Sequence, residues 1–421
     1  MTLIFVENIT NRLSYTLDFV FKTRGLSYEL STDAKKFSST NALKFNYSNR
    51  FFEGIPVITP STILFEEDIK TIALDKVPFE DLEILSFNQI PDPLASIFYV
   101  LSRYEEYGKS ERDAHDRFLA YASIQSEFGW LKEPICDRWA LCLLKFIGIA
   151  LIPNVAYKIQ PTFDIDSTFA YEEKGIVRNM AGLLRDLSKG KINRVTERIH
   201  VWIKNRKDPF DTFDRIKALT GTYPNTRCFW LMADYGPYHK NLPYKNAKQC
   251  EVIQELSKSC EIGIHPGYNS YTSAKILALE ISRLSTVLKK PISTSRQHFL
   301  RIRIPETYGL LIEQGIKEDY SMGYAETTGF RMGTARQTPW FDLRTNVITK
   351  LQLQPFCYMD GTLNEYLKLT PEEARLEVKN LKSNIKKYGG VFSFIWHNET
   401  LGFKYHWKDW ERVFEESIKE D

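Results

Sequence analysis

The sequence predicts an α/β protein whose larger part is a parallel sheet, open or closed into a barrel, preceded by a smaller α+β unit. Three observations lead there. At 421 residues the chain exceeds one ordinary domain. From about residue 155 onward, short apolar runs alternate with amphipathic helical stretches, the pattern of repeated β–loop–α units. Before that point the order is irregular, with an early helix between strand-like pieces and two further helices after them. The expected division is residues 1–150 and 151–421.

In the first part, "TLIFVE" and "SYELST" read as strands flanking an amphipathic helix near residues 9–23, and "ALKFNYS" and "IPVITPS" as further strands. Two helices follow, around "PLASIFYVLSRYEEYG" and "DRWALCLLKFIG". Asp92 and Pro93 suit the cap and first position of the former, and Gly148 lies near the end of the latter. "RYEEY" and "ERDAHDR" are charged enough for a surface or an interface, and His115 reads as an exposed polar residue. In the second part, strands are expected at "VAYKIQPTF", "CFWLMA", "EIGI", "ISTSRQHF", "YSMGY", "ITKLQLQPF" and "GGVFSFIWH". Helices are expected near 246–259, 273–289, 305–315, Pro371–Lys387 and 407–419, with a long helical region after the first strand.

Composition narrows the function. A formal charge of +3 on this length implies no nucleic-acid or membrane partner, and the Lys/Arg-rich stretch near 189–207 reads as a solvated face. No apolar run approaches the ~18–20 residues of a membrane span. The six cysteines form no CxxC pair, so reduced thiols are expected, and with no signal-peptide pattern at the start the expected location is cytoplasmic. Aromatics at 14% suit a large core or a groove lined by flat rings. No Gly-rich phosphate loop is present, so the ordinary dinucleotide and P-loop readings lack their motifs.

In either sheet architecture ligands gather at the carboxyl ends of the strands. Few chemically capable side chains fall there. Asp164 and Asp166 end the first strand of this region in "PTFDIDS", and His265 follows "EIGI". Arg296 and His298 lie in "SRQHFLR", and His397 follows "VFSFIW". Period-2 geometry puts Asp164 and Asp166 on one face, and Arg296 and His298 on one face. A carboxylate and two imidazoles at one mouth suit a zinc-like divalent metal, and a second carboxylate beside it could take a proton from water.

These residues resemble the motifs of the polysaccharide deacetylase (NodB-homology) superfamily. "TFDIDS" is similar to the Phe-Asp-x-Asp form of its first motif. The first third, through "DPLASIFYVLSRYEEY", resembles the uncharacterised domain that precedes this module in Bacteroidetes-type proteins. The resemblance implies a distorted, incomplete (β/α) barrel, related to the TIM barrel. It implies Asp164 as general base, Asp166 and His265 as metal ligands, Arg296 as brace for the base and His397 as general acid. It further implies removal of N-acetyl groups from a saccharide with a divalent metal, zinc-like in its ligands. Arg331, in "GFRMGT", could pair with a carboxylate near the mouth. Tyr268, Trp340 and Trp396 could stack on a sugar ring or fill the core.

The chain departs from the family's His-x-x-x-His motif, because Asn269 stands four residues after His265. Three outcomes stay open: His298 supplies the missing imidazole, Asn269 or a water completes a weaker site, or the site has decayed to saccharide binding. Hydrolysis of a small cyclic amide, as in the Phe-Asp-x-Asp branch, is the alternative activity.

Overall fold

The computed structural model describes residues 1–108, 111–149 and 156–420. The expected boundary at 150/151 lies outside the described residues. The first segment contains β1 (Thr2–Val6), α1 (Asn11–Val20), β2 (Tyr28–Ser31), α2 (Ala34–Ser39) and β3 (Leu43–Tyr47). These three strands form a parallel sheet in the order β2-β1-β3. The "IPVITPS" stretch contributes only a bridge, Asn46 to Val57, rather than a strand. An antiparallel set follows that the sequence pattern does not predict: β4 (Leu74–Phe79), β5 (Leu82–Phe87) and β6 (Ile90–Pro91).

Helix α3 (Pro93–Leu101) starts where the sequence predicts. Asp92 accepts from the Ala95 N–H at 3.0 Å and Pro93 holds the first position, where a missing N–H costs nothing. Asp92 also accepts from the Tyr47 hydroxyl at 2.7 Å and from Ser61, so one carboxylate ties β3 to the helix start. Two more helices, α4 (Ile124–Glu127) and α5 (Ile135–Phe146), complete this segment.

The second part runs β7 (Tyr157–Ile165), α6 (Gly175–Ser188), α7 (Ile192–Trp202), α8 (Phe213–Thr220), β8 (Arg227–Leu231), α9 (Ala247–Leu256), β9 (Glu261–His265) and α10 (Ala274–Leu288). It continues through β10 (Thr294–Ser295), α11 (Glu306–Glu313), β11 (Glu318–Asp319), β12 (Thr338–Asp342), β13 (Val347–Leu353), α12 (Pro371–Tyr388), β14 (Gly390–His397) and α13 (Glu411–Ile418). Eight strands form one sheet in the order β12-β13-β11-β10-β9-β8-β7-β14, parallel except for the β12–β13 pair. β14 and β12 do not pair with each other, so the sheet stays open, compatible with an incomplete barrel. "ISTSRQHF" shrinks to a two-residue strand.

One continuous apolar core joins the two parts, with Ile4, Phe98 and Trp139 in the same cluster as Phe163, Trp230 and Phe394. Buried charge crosses the same boundary. Arg331, expected near the mouth, instead clasps Glu106 with two bonds of 2.9 and 2.6 Å, while Arg103 donates to Glu106 at 2.8 Å and to the Arg331 carbonyl. Burial opposes a charge on Glu106, but Arg331 and then Arg103 outweigh it and hold the carboxyl down at about 2. Glu106→Ala leaves the buried Arg331 guanidinium without its carboxylate, while Arg103 keeps Glu105 at 3.0 Å, and urea titration should show a loss of about 3–5 kcal/mol at neutral pH. Because the folded value lies below that of a free Glu, this contribution is present above the free value and fades as pH falls toward 2.

Candidate active site

The carboxyl end of β7 places the two aspartates. Asp164 is the last but one residue of the strand and Asp166 lies one residue beyond its end. β9 lies two places away, across β8, and ends on His265. His265 Nδ1 meets the Arg296 carbonyl oxygen at 2.6 Å, so Nδ1 carries a hydrogen and Nε2 is the ring atom left for the site. That Nε2 points at carboxylates, 3.2 Å from Asp166 Oδ1 and 3.8 Å from Asp164 Oδ2. His298 Nε2 approaches the other oxygen of Asp166 at 3.3 Å.

Donor atoms of Asp166, His265 and His298 all lie within 4.8 Å of one another. His298 reaches this point by a different route from the shared strand face the period-2 reading expects. β10 ends at Ser295, and His298 opens a tight turn in which Phe299 takes a φ of 59°. Asn269 is exposed and starts the short 3-10 turn at Ser270–Thr272, so it takes no part in the cluster. The loop between is pinned from behind, where the Gly267 N–H and Ser270 hydroxyl donate to buried Glu280 at 2.8 and 2.6 Å.

The donor set fits a divalent cation. His265 Nε2 faces carboxylate oxygens, so a positive charge belongs between them, either a proton drawn onto the ring by Asp164 and Asp166 or a bound cation. Asp166 Oδ1 is buried without a hydrogen-bond partner. Burial opposes a charge on Asp166, but His298 and His265 outweigh it and hold the carboxyl well below its ordinary range. Burial lowers His298, which favours the neutral imidazole a metal needs. The Arg296-carbonyl bond to His265 is the outer support such ligands usually have. His239 lies close, its ring 5.6 Å from that of His298, yet both its nitrogens are engaged. Nε2 accepts from the Tyr268 N–H and Nδ1 meets the Asp234 carbonyl.

Arg296 is fully buried and donates to Asp164 Oδ1 at 2.9 Å and to the Tyr320 carbonyl at 3.0 Å. β14 lies beside β7 in parallel, in a register that makes His397 and Asp164 cross-strand neighbours. His397 Nδ1 bonds Asp360 Oδ1 at 2.8 Å, and the His397 N–H donates to Asp360 Oδ2 at 2.9 Å. Thr400 and the Gly361 N–H also donate to this fully buried carboxylate. Burial opposes a charge on His397, but Asp360, backed by Asp166 and Asp164, outweighs it and raises the imidazole well above its usual value. This favours the imidazolium, whose Nε2–H can donate into the cavity.

Asp164, Asp166, His265, His298, Asp360 and His397 border one cavity of about 200 Å³. Gln297 lines it too, buried, with neither side-chain amide atom bonded. Arg117, from the first segment, supplies part of the wall and donates to the Tyr366 hydroxyl. An adjoining cleft of about 480 Å³ shares Asp166, His298, Glu399 and Trp407 with the cavity. Tyr171, Phe210 and Tyr405 give it an aromatic lining.

Four residues expected to bind substrate lie elsewhere. Trp396 is fully buried among Phe403, Trp407 and Phe414, and Trp340 packs edge-on against Tyr308. Large rings on a strand's inner face fill the core, and these two do so. Tyr268 is buried behind the site, stacked on Tyr238 at 3.8 Å with its hydroxyl on half-buried His115. Arg331 is held by Glu106. Asp360, Gln297 and Arg117 were not singled out from the sequence. Only Asp360 carried a signal, an Asp-Gly turn ending the extended "CYMDG" that pairs beside β14.

A family model described as a family of unknown function, DUF7033, matches residues 2–149. No curated protein matches the chain. Among solved structures, a crystal structure from Mycobacterium smegmatis, assigned as a polysaccharide deacetylase, is similar at 14% identity and a TM-score of 0.39. That match covers 65% of this chain and 87% of the other. A likeness this loose carries no weight for function, which rests on the side chains themselves.

Proposed function

We propose that this protein is a metal-dependent hydrolase that removes N-acetyl groups from a saccharide. One observation carries the reading. A single cavity brings together a three-residue donor set for a cation, a separate braced carboxylate, and an imidazolium held by a buried aspartate. Hydrolysis of an unactivated amide needs all three, since water must be activated, oxyanion charge offset, and the amine protonated as it leaves.

Asp166, His265 and His298 would hold the cation. A divalent ion bound there supplies polarisation of the acyl oxygen and acidification of water. Asp164 takes the proton of the attacking water, with Arg296 fixing which of its oxygens stays free. His397 gives its Nε2 proton to the departing nitrogen, and Asp360 keeps the ring turned so that this nitrogen faces the cavity. Gln297, with a free carbonyl and a free NH₂, binds a substrate amide or hydroxyl. Gln297→Ala should raise KM by about tenfold with a smaller change in kcat, because a hydrogen bond to the substrate is worth about 0.5–1.5 kcal/mol.

The adjoining aromatic cleft favours an extended saccharide over a small cyclic amide, which the cavity alone would accommodate. The test is acetate release from N-acetylhexosamine oligomers by protein loaded in turn with zinc, cobalt, nickel and manganese. Release with at least one metal supports the reading. Metal binding without release from any oligomer, alongside opening of small imides, would replace it with the cyclic-amide activity.

A further inference from the structure

Helix α6 of the α6–α7 hairpin is turned inside out. A surface helix ordinarily buries its apolar stripe. In α6 the only buried side chains are Asn179 and Asp186, and both bond Arg198 of α7, at 3.0 and 2.8 Å. Gly182 admits that guanidinium against the helix, since a Cβ there would stand 2.7 Å from it. The apolar side chains face outward, with Val177 82%, Ile176 79% and Leu184 62% exposed, and Met180 and Leu187 beside them. α7 and its end add Ile192, Ile199, Trp202 and Ile203. Thus nine of the 26 large apolar side chains exposed among the described residues fall between 176 and 203. A soluble surface rarely carries such a concentration without a partner.

Charge says which partner. From Lys174 to Lys207 the chain has ten Lys or Arg and two Asp or Glu, against a formal +3 for the whole protein. Both acids are engaged, Asp186 by Arg198 and Glu197 by Lys404 and the Tyr405 hydroxyl. Lys189, Lys191, Lys204 and Arg206 stand exposed. A second copy apposed through this face would set these exposed lysines and arginines against their own kind. An apolar face rimmed by lysine and arginine matches an anionic bilayer, with side chains entering the headgroup boundary and cations meeting the phosphates.

We infer that the α6–α7 hairpin seats this protein on the surface of an anionic lipid membrane. The inner, polar side of the hairpin lines the cleft through Lys174, Arg194 and Arg198, so the cleft opens beside the lipid. On the hydrolase reading, which this second step rests on, the substrate is a saccharide carried on a lipid anchor.

The test is sedimentation of the full chain with vesicles of phosphatidylcholine alone or mixed with phosphatidylglycerol. Binding to the mixed vesicles, weakened at high salt, is expected. The variant Ile176→Ser/Val177→Ser/Leu184→Ser should lose binding by at least about tenfold, as should Lys189→Glu/Lys191→Glu. Both should keep the parent circular dichroism and act normally on soluble oligomers, since none of these residues lines the cleft. No binding to mixed vesicles overturns the proposal. So does binding that neither variant disturbs, or a lipid-independent dimer that the apolar variant dissolves. Vesicle binding is read without turnover. An inactive protein that still binds would remove the hydrolase reading and the lipid-linked substrate while leaving the membrane surface in place.

Discussion

His298→Ala should leave the protein folded but unable to retain a divalent metal, and acetate release should fall with it. Disturbing only the outer support of a metal ligand typically weakens metal affinity by about 10–100-fold, so deleting one of three ligands should exceed about a hundredfold. Metal analysis after gel filtration reads the first effect, and titration with zinc the second. The substitution also tests the route by which this site forms. Asn269 is exposed and turned away, so nothing in the His265 loop can take over the role. An unchanged metal content in the variant would end the three-residue assignment. A melting curve like the parent's distinguishes metal loss from misfolding.

Asp360→Asn should lower kcat by about 10²–10⁴, the usual worth of a positioned general acid, and should reshape the pH profile. The sign follows from His397. The acid form is the working form, and Asp360 holds its pKa well above the ordinary value. The parent should therefore stay active to high pH, and lose activity only as pH rises through that raised value. With Asn in place of Asp, the pKa drops and the alkaline limb moves to lower pH. His397→Ala should match the loss in kcat but show no such limb, and metal content should be unaffected in both. A profile of Asp360→Asn that overlays the parent's would show that His397 does not donate the proton.

The sequence is most legible where side-chain chemistry and strand ends coincide. Asp164, Asp166, His265 and His397 are readable because a polar residue at the end of an apolar run has few structural reasons to be there. His298 is readable as a residue but not as a geometry, since a turn rather than a strand delivers it. Trp340 and Trp396 stay open between groove and core in the sequence, because a large ring looks the same there in either place. Asp360 is hidden because its extended segment pairs beside β14 by only a few bonds and lacks strand periodicity. In the hairpin, the basic residues show as a run, while the outward turn of the apolar ones depends on Arg198 drawing Asn179 and Asp186 inward. The β4–β6 ribbon escapes notice because its burial is uneven, with exposed residues on both of its long strands.

The clasp between Glu106 and Arg331 spans 225 residues of chain. During synthesis at ~5–20 residues per second, Glu106 is made roughly 10–45 s before its partner. Arg103, three residues away, is on hand throughout, so the carboxylate waits half-paired. Through that interval the nascent first segment presents to solvent a charged, partly apolar surface that becomes interior only once the later strands arrive. The order of translation thus makes the first segment the platform, and the sheet bearing the candidate active site is laid down against it.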